Sequence, residues 1–170
     1  MHTAAAITQE VVLPFREKPF AVSTSKPRPS LTTTANTKHY TLTSDLLTGN
    51  DLIDSEHIEL FDAINNLLDA CSSGQGRQQI NDTVDFLADY VDKHFSDEEQ
   101  LQRQYSYPNY DSHHDFHTNY KSKVRLLASH LHTDGPTMQN LSDLNQLVSI
   151  LIAHIRQEDK RVAAHVKASS

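Results

Sequence analysis

The sequence predicts an all-α protein, an up-down-up-down antiparallel four-helix bundle that follows a flexible N-terminal tail. Three observations carry this. Beyond residue 40 every glycine and proline falls at the borders of four long stretches free of helix breakers. Within each stretch the apolar residues recur three and four apart, a helical period and not strand alternation. Glycine totals only four of 170 residues, too few for a β-rich chain with many tight turns.

Residues 1–40 are set apart by composition. Four of the six prolines lie there, Pro14, Pro19, Pro27 and Pro29, and fourteen of these forty residues are Ser, Thr or Pro. The segment carries +3, so residues 41–170 carry −10. Such a segment reads as a tail without a fold of its own. Its one apolar patch, Val11 to Phe15, names no partner.

The helices come in order along the chain. The first is predicted over 51–72, between Gly49 and Gly74, with the stripe Ile53, His57, Leu60, Phe61, Ile64 and Leu68. The second spans 76–104, ending before Pro108, with Ile80, Val84, Leu87, Val91, Phe95 and Leu101. The third covers 109–132, ending before Gly135, with Phe116, Tyr120, Val124 and Leu127. The fourth covers 137–166 after Pro136, with Leu144, Leu147, Val148, Leu151, Ile155 and Val162. Short links make neighbouring helices antiparallel. Residues 41–170 therefore form the bundle.

Composition excludes several classes. With 37% apolar and 22% charged residues and a net charge of −7, the chain lacks the basic balance of a nucleic-acid binder. Its longest apolar run, Leu147 to Ala153, is broken by Ser149 and is far short of the ~20 residues of a membrane span. The sequence opens without a basic start and apolar stretch, and it holds one cysteine, Cys71. No internal disulfide is possible, and a reducing cytoplasmic setting is expected. Cys71 reads as structural, and Tyr105, Tyr107 and Tyr110 around Pro108 read as packing at the bundle end.

Eleven histidines are the conspicuous feature. His57 lies within the first apolar stripe. His94 and Glu98 form H-x-x-x-E on the second helix, and His113 and His117 form H-x-x-x-H on the third. His154 sits between Leu151 and Ile155 on the fourth, with Asp159 five residues later. Four residues advance a helix by about 6 Å and rotate it by about 40°, so side chains so spaced point the same way. A lone histidine on an apolar face is commonly a hydrogen-bonded core residue. Here all four core stripes carry histidine, and buried polar groups are costly unless something binds them. Five histidines and two carboxylates suffice for two metal ions. The remaining histidines, His2, His39, His114, His130, His132 and His165, are expected at the surface. One point resists the helical wheel: Asp159 is turned about 140° from His154, and Glu158 would share its face better.

These residues, in this order, resemble the hemerythrins, specifically single-domain bacteriohemerythrin-like proteins. The runs TGNDLIDSEHIELF (Thr48 to Phe61), HFSDEE (His94 to Glu99), Tyr107-Pro108 with His113 and His117, and HIRQED (His154 to Asp159) match the family's four helix motifs over about residues 41–167. The resemblance implies two iron ions with an oxo or hydroxo bridge and reversible O2 binding. It places His113, His117 and His154 on one iron, His57 and His94 on the other, and Glu98 and Asp159 across both. It favours Asp159 over Glu158, so the fourth helix must reach far or carry a one-residue bulge, a feature that collects at functional sites. Leu60, Phe95 and Ile152 are expected to line the O2 pocket. Leu42 and Ile150 stand about where the family often has tryptophan. No catalytic residue is assigned. O2 carriage, storage or delivery is the leading function, with O2, redox or iron sensing, a di-iron oxidase or peroxidase, and iron buffering as the alternatives.

Overall fold

The structure, a computed structural model, describes residues 39–170. The expected tail lies outside the described residues except for His39 and Tyr40. Tyr40 is bonded to two helices of the bundle. Its backbone N–H donates to Asn65 Oδ1 at 2.9 Å, and Asn65 Nδ2 donates back to the Tyr40 carbonyl at 2.7 Å. The Tyr40 hydroxyl donates to Asn145 Oδ1 at 3.0 Å.

Helix α1 is Asp51–Ser72, α2 Arg77–Gln104, α3 Tyr110–Asp134 and α4 Met138–His154. A π-helical turn, Ile155–Asp159, leads without a break into α5, Lys160–Ser169. These bounds agree with the expected helices to within a few residues. The fourth helix is the exception, being one run of backbone in two α segments around the π turn. Consecutive helices pack on one another, and no strand occurs among the described residues.

The helix starts reflect their local chemistry. Asn50 caps α1, its side chain accepting from the Leu52 and Ile53 amides. The Asp54 carboxylate reaches back to the Thr48 and Gly49 amides at 2.8 and 3.0 Å, closing a turn that needs Gly49 at φ +81°. Thr137 caps α4 by accepting from Asn140. α2 ends differently. The Tyr107 amide donates to the Gln102 carbonyl at 2.9 Å and the Ser106 amide to the Arg103 carbonyl at 3.2 Å. That pairing requires a left-handed residue at 106, and serine supplies it at φ +52°.

The apolar stripes bury into two clusters. The larger holds Leu60, Phe61, Ile64, Leu67, Val84, Val91, Phe95, Leu127, Leu131, Val148 and Leu151, among others. The smaller holds Ile53, Tyr107, Val162, Ala163 and Val166. His57 on α1, Glu98 on α2 and Asp159 in the fourth helical run fall between residues of one cluster and those of the other, while His94 and His154 sit at the border of the larger one. Of the three tyrosines expected to pack the bundle end, Tyr107 is buried in the smaller cluster with Tyr105 packed against it, while Tyr110 is half-buried outside both clusters and stacks on His114. Leu68, Leu101 and Phe116 of the expected stripes are half-buried. Leu42 and Ile150 pack half-buried on the larger cluster. Cys71 is buried and unpaired, and burial pushes its thiol up from the usual value. No helix among the described residues is long and apolar enough to cross a membrane.

Candidate metal centre

Each helix delivers its part of the site at the depth its sequence dictates. His57 on α1, His94 and Glu98 on α2, His113 and His117 on α3, His154 at the end of α4 and Asp159 at the end of the π turn are all buried, none more than 5% exposed. Their donor atoms gather into two groups, each within 4.8 Å: Glu98 with His113, His117 and His154, and His57 with His94 and Asp159. The structure thus brings together all seven residues that the sequence singled out. The π turn explains Asp159. Its i→i+5 bonding takes one extra residue per turn, so Asp159 comes round to the face of His154. Glu158 is turned out instead, half-buried and paired with Arg161 at 2.7 Å. The one-residue bulge, not a long reach, is the solution.

Asp159 joins the two groups. Its Oδ2 lies 3.2 Å from His57 Nε2, while its Oδ1 lies 2.9 Å from His154 Nε2 and 3.4 Å from His113 Nε2. Glu98 Oε2 lies 3.1 Å from His113 Nε2 and 3.3 Å from His117 Nε2. His113 Nε2 and His154 Nε2 face one another at 3.1 Å. Several of these buried atoms complete no hydrogen bond: both nitrogens of His57, Nε2 of His94 and His117, both oxygens of Asp159 and Oε1 of Glu98. Buried polar atoms are nearly always paired. A set of bare nitrogens and carboxylate oxygens converging in one place suits cations.

The electrostatics agree. Burial, then the charge of Asp159, pushes Glu98 up to about 7. Asp159 goes the other way: burial opposes its charge, but the close approach of His154 and His57 prevails and holds it well below the usual range. Two buried carboxylates this close do not both ionise without positive charge between them. Burial also pushes His94 and His113 down, which favours the neutral imidazole a metal requires.

Two carboxylates that the sequence reading did not single out fix the histidines. Glu56 Oε2 lies 3.0 Å from His94 Nδ1, and Glu99 Oε1 lies 3.0 Å from His117 Nδ1. Burial opposes ionisation of Glu56, but its bonds to His94 and Lys93 outweigh it. Glu99 is held at about 2, its bonds from His117 and His114 overcoming burial. An ionised carboxylate only accepts, so Nδ1 of each histidine is the donor. Nε2 is then the bare nitrogen, aimed at the centre. This carboxylate–histidine arrangement is how proteins orient metal ligands. The available signal was adjacency, since Glu56 precedes His57 and Glu99 comes directly after Glu98.

The other histidines divide. His39 and His132 are exposed, as expected. His114, His130 and His165 are half-buried, a correction to the surface placement. His114 meets Glu99 at 3.1 Å and His165 Nε2 meets the Tyr105 carbonyl at 2.8 Å, partners that a wheel drawn on one helix does not show. His2 lies outside the described residues. Of the expected pocket residues, Leu60 and Phe95 are fully buried, and the Phe95 ring stacks on His117 with centroids 3.7 Å apart. Ile152 is half-buried at the margin of the larger cluster. Phe116, which the sequence placed only in the third core stripe, stacks on His154 at 3.8 Å.

Comparison with known proteins decides the family. The model of the hemerythrin HHE cation binding domain matches residues 48–166. The chain belongs to the hemerythrin family. A bacteriohemerythrin of Stenotrophomonas maltophilia (strain R551-3) is 30% identical over 124 residues, covering 73% of this chain and 79% of that protein. Residues 48–166, which the family model matches, hold every one of the seven clustered residues. Hemerythrin membership implies non-haem iron, and the buried histidine and carboxylate groups could hold metal ions.

Proposed function

We propose that this hemerythrin binds O2 reversibly, for carriage, storage or delivery, at a centre of two irons held by His57, His94, Glu98, His113, His117, His154 and Asp159. The observation that carries the reading is the inequality of the two donor groups. One offers three imidazoles and Glu98, the other two imidazoles and Asp159. With Glu98 and Asp159 shared between both, the ion on His57 and His94 is left with the open position. An iron pair would supply there the two electrons that O2 borrows and returns.

The chain's own residues do the rest. Glu56 and Glu99 hold His94 and His117 with Nε2 inward. Phe95 packs against both histidines, at 3.7 Å from His117 and 5.5 Å from His94, and with Leu60 it keeps water from that side. No Glu-x-x-His pair of the kind used by O2-activating carboxylate di-iron sites lies among the ligands, which favours binding over oxidation. Buried, unpaired Cys71 accords with a cytoplasmic setting. The test is an optical spectrum of the iron-loaded protein cycled between air and argon. A visible charge-transfer band that appears in air and vanishes under argon over repeated cycles supports O2 carriage. Irreversible conversion to a stable ferric spectrum on first exposure to air points to sensing or catalysis instead.

A further inference from the structure

Gln102 contradicts the apolar logic of its surroundings. It lies on α2 one turn beyond Glu98, on the same face, and is fully buried. Neither its amide nitrogen nor its amide oxygen has a hydrogen-bond partner. A leucine or methionine would fill the same space without that cost. Two more sealed polar atoms belong to this end of α2 and the turn after it. Glu98 Oε1 accepts no hydrogen bond, and the Tyr107 hydroxyl completes none, although Asn109 is close. The bond from the Tyr107 amide to the Gln102 carbonyl folds the tyrosine back against the end of α2. Its ring meets His113 edge-on with centroids 6.3 Å apart, and His113 Nε2 in turn lies 3.1 Å from Glu98 Oε2.

The three leftovers are complementary in kind. An ionised Glu98 oxygen only accepts. The Gln102 amide donates through nitrogen and accepts through oxygen. The Tyr107 hydroxyl donates one proton. We propose that Gln102 is a positioning residue for the metal centre, its amide N–H bonded to Glu98 Oε1 and its amide oxygen accepting from the Tyr107 hydroxyl, each directly or through one water. A carboxylate oxygen has room for both a metal and this hydrogen bond, and carboxylate ligands are characteristically braced in this way. The chain Tyr107–Gln102–Glu98 does for the carboxylate what Glu56 and Glu99 do for two of the histidines. The inference rests on the metal-centre reading above, and its test begins by establishing iron uptake in the unaltered protein.

Gln102→Met keeps the length of the side chain and removes both polar atoms. The full chain is loaded anaerobically with ferrous iron, and the rate of iron loss to an excess of chelator is measured beside thermal unfolding of the metal-free form. Positioning predicts opposite signs. Metal-free Gln102→Met melts at the same or a higher temperature, since two orphaned atoms are gone. The loaded variant releases iron about tenfold faster, the low end for loss of an outer partner of a metal ligand. Tyr107→Phe, which removes one oxygen, shifts release the same way by less, and the double variant is no faster than Gln102→Met. The Tyr107→Phe result stands by itself should the methionine variant fold poorly. Iron release equal to the unaltered protein's in both variants overturns the proposal, as does a loaded crystal structure with Gln102 bonded elsewhere. Failure of the unaltered protein to take up iron refutes the metal centre itself, a separate outcome.

Discussion

Replacing Glu98 by glutamine should stabilise the metal-free protein at neutral pH while depriving it of metal. Glu98 is fully buried, and burial together with the nearby charge of Asp159 lifts its carboxyl from 4.5 to about 7. The sign comes from linkage. An acid whose pKa is raised by folding ionises first in the unfolded chain. Folding is therefore penalised increasingly as pH rises above 4.5, and the penalty is complete above about 7. At about 1.4 kcal/mol per pKa unit, that interval amounts to about 3 kcal/mol as an upper bound. Glutamine has the same shape and no proton to lose. Urea unfolding of metal-free Glu98→Gln and of the unaltered protein, monitored by helical circular dichroism, reads the difference. The variant should gain about 1–3 kcal/mol at pH 7.5, shrinking below about 1 kcal/mol at pH 5, where Glu98 holds its proton in the folded state and only the unfolded carboxyl has begun to ionise, and vanishing below about pH 4. A loss of stability at pH 7.5, or a gain that does not change with pH, refutes the reasoning.

Three other perturbations have outcomes fixed by the same structure. His117→Ala removes an imidazole that stacks on Phe95 and is braced by Glu99, so iron affinity should fall by more than about tenfold, with free imidazole restoring part of it; iron content by elemental analysis checks this. Ser106→Gly relieves the left-handed backbone at φ +52° and should raise the stability of the protein by about 0.5–1 kcal/mol in denaturant unfolding, with iron content unchanged. Deleting residues 1–38 should leave the helical spectrum and iron uptake intact, since every proposed ligand lies at or beyond His57; a truncated protein unable to take up iron would show that the segment takes part in the site.

The sequence made the helices legible because its breakers are few and well placed. Gly49, Gly74, Gly76, Pro108, Gly135 and Pro136 all lie outside α1 to α5. His94 with Glu98 and His113 with His117 were legible because i, i+4 spacing is a local property, and His57 and His154 because they interrupt apolar stripes; Asp159 was legible only through the family resemblance. What escaped depends on neighbouring helices. Glu56 reads as a surface carboxylate on α1 until α2 places His94 against it. Glu99 meets His117 only across the α2–α3 contact. Gln102 has the polarity of an exposed residue, and only the packed bundle shows that it is sealed. The π turn was half legible: the 140° misfit between His154 and Asp159 demanded either reach or bulge, and backbone bonding within the fourth helix chose the bulge.

The proposed function requires two metal ions side by side in unequal ligand sets. Anomalous diffraction at the iron edge, from crystals of anaerobically loaded protein, tests it most directly. Two iron peaks per chain are expected, one bound by His113, His117 and His154 and one by His57 and His94, with Glu98 and Asp159 contacting both. A single peak, an ion bound away from these residues, or a zinc that iron does not displace would contradict it.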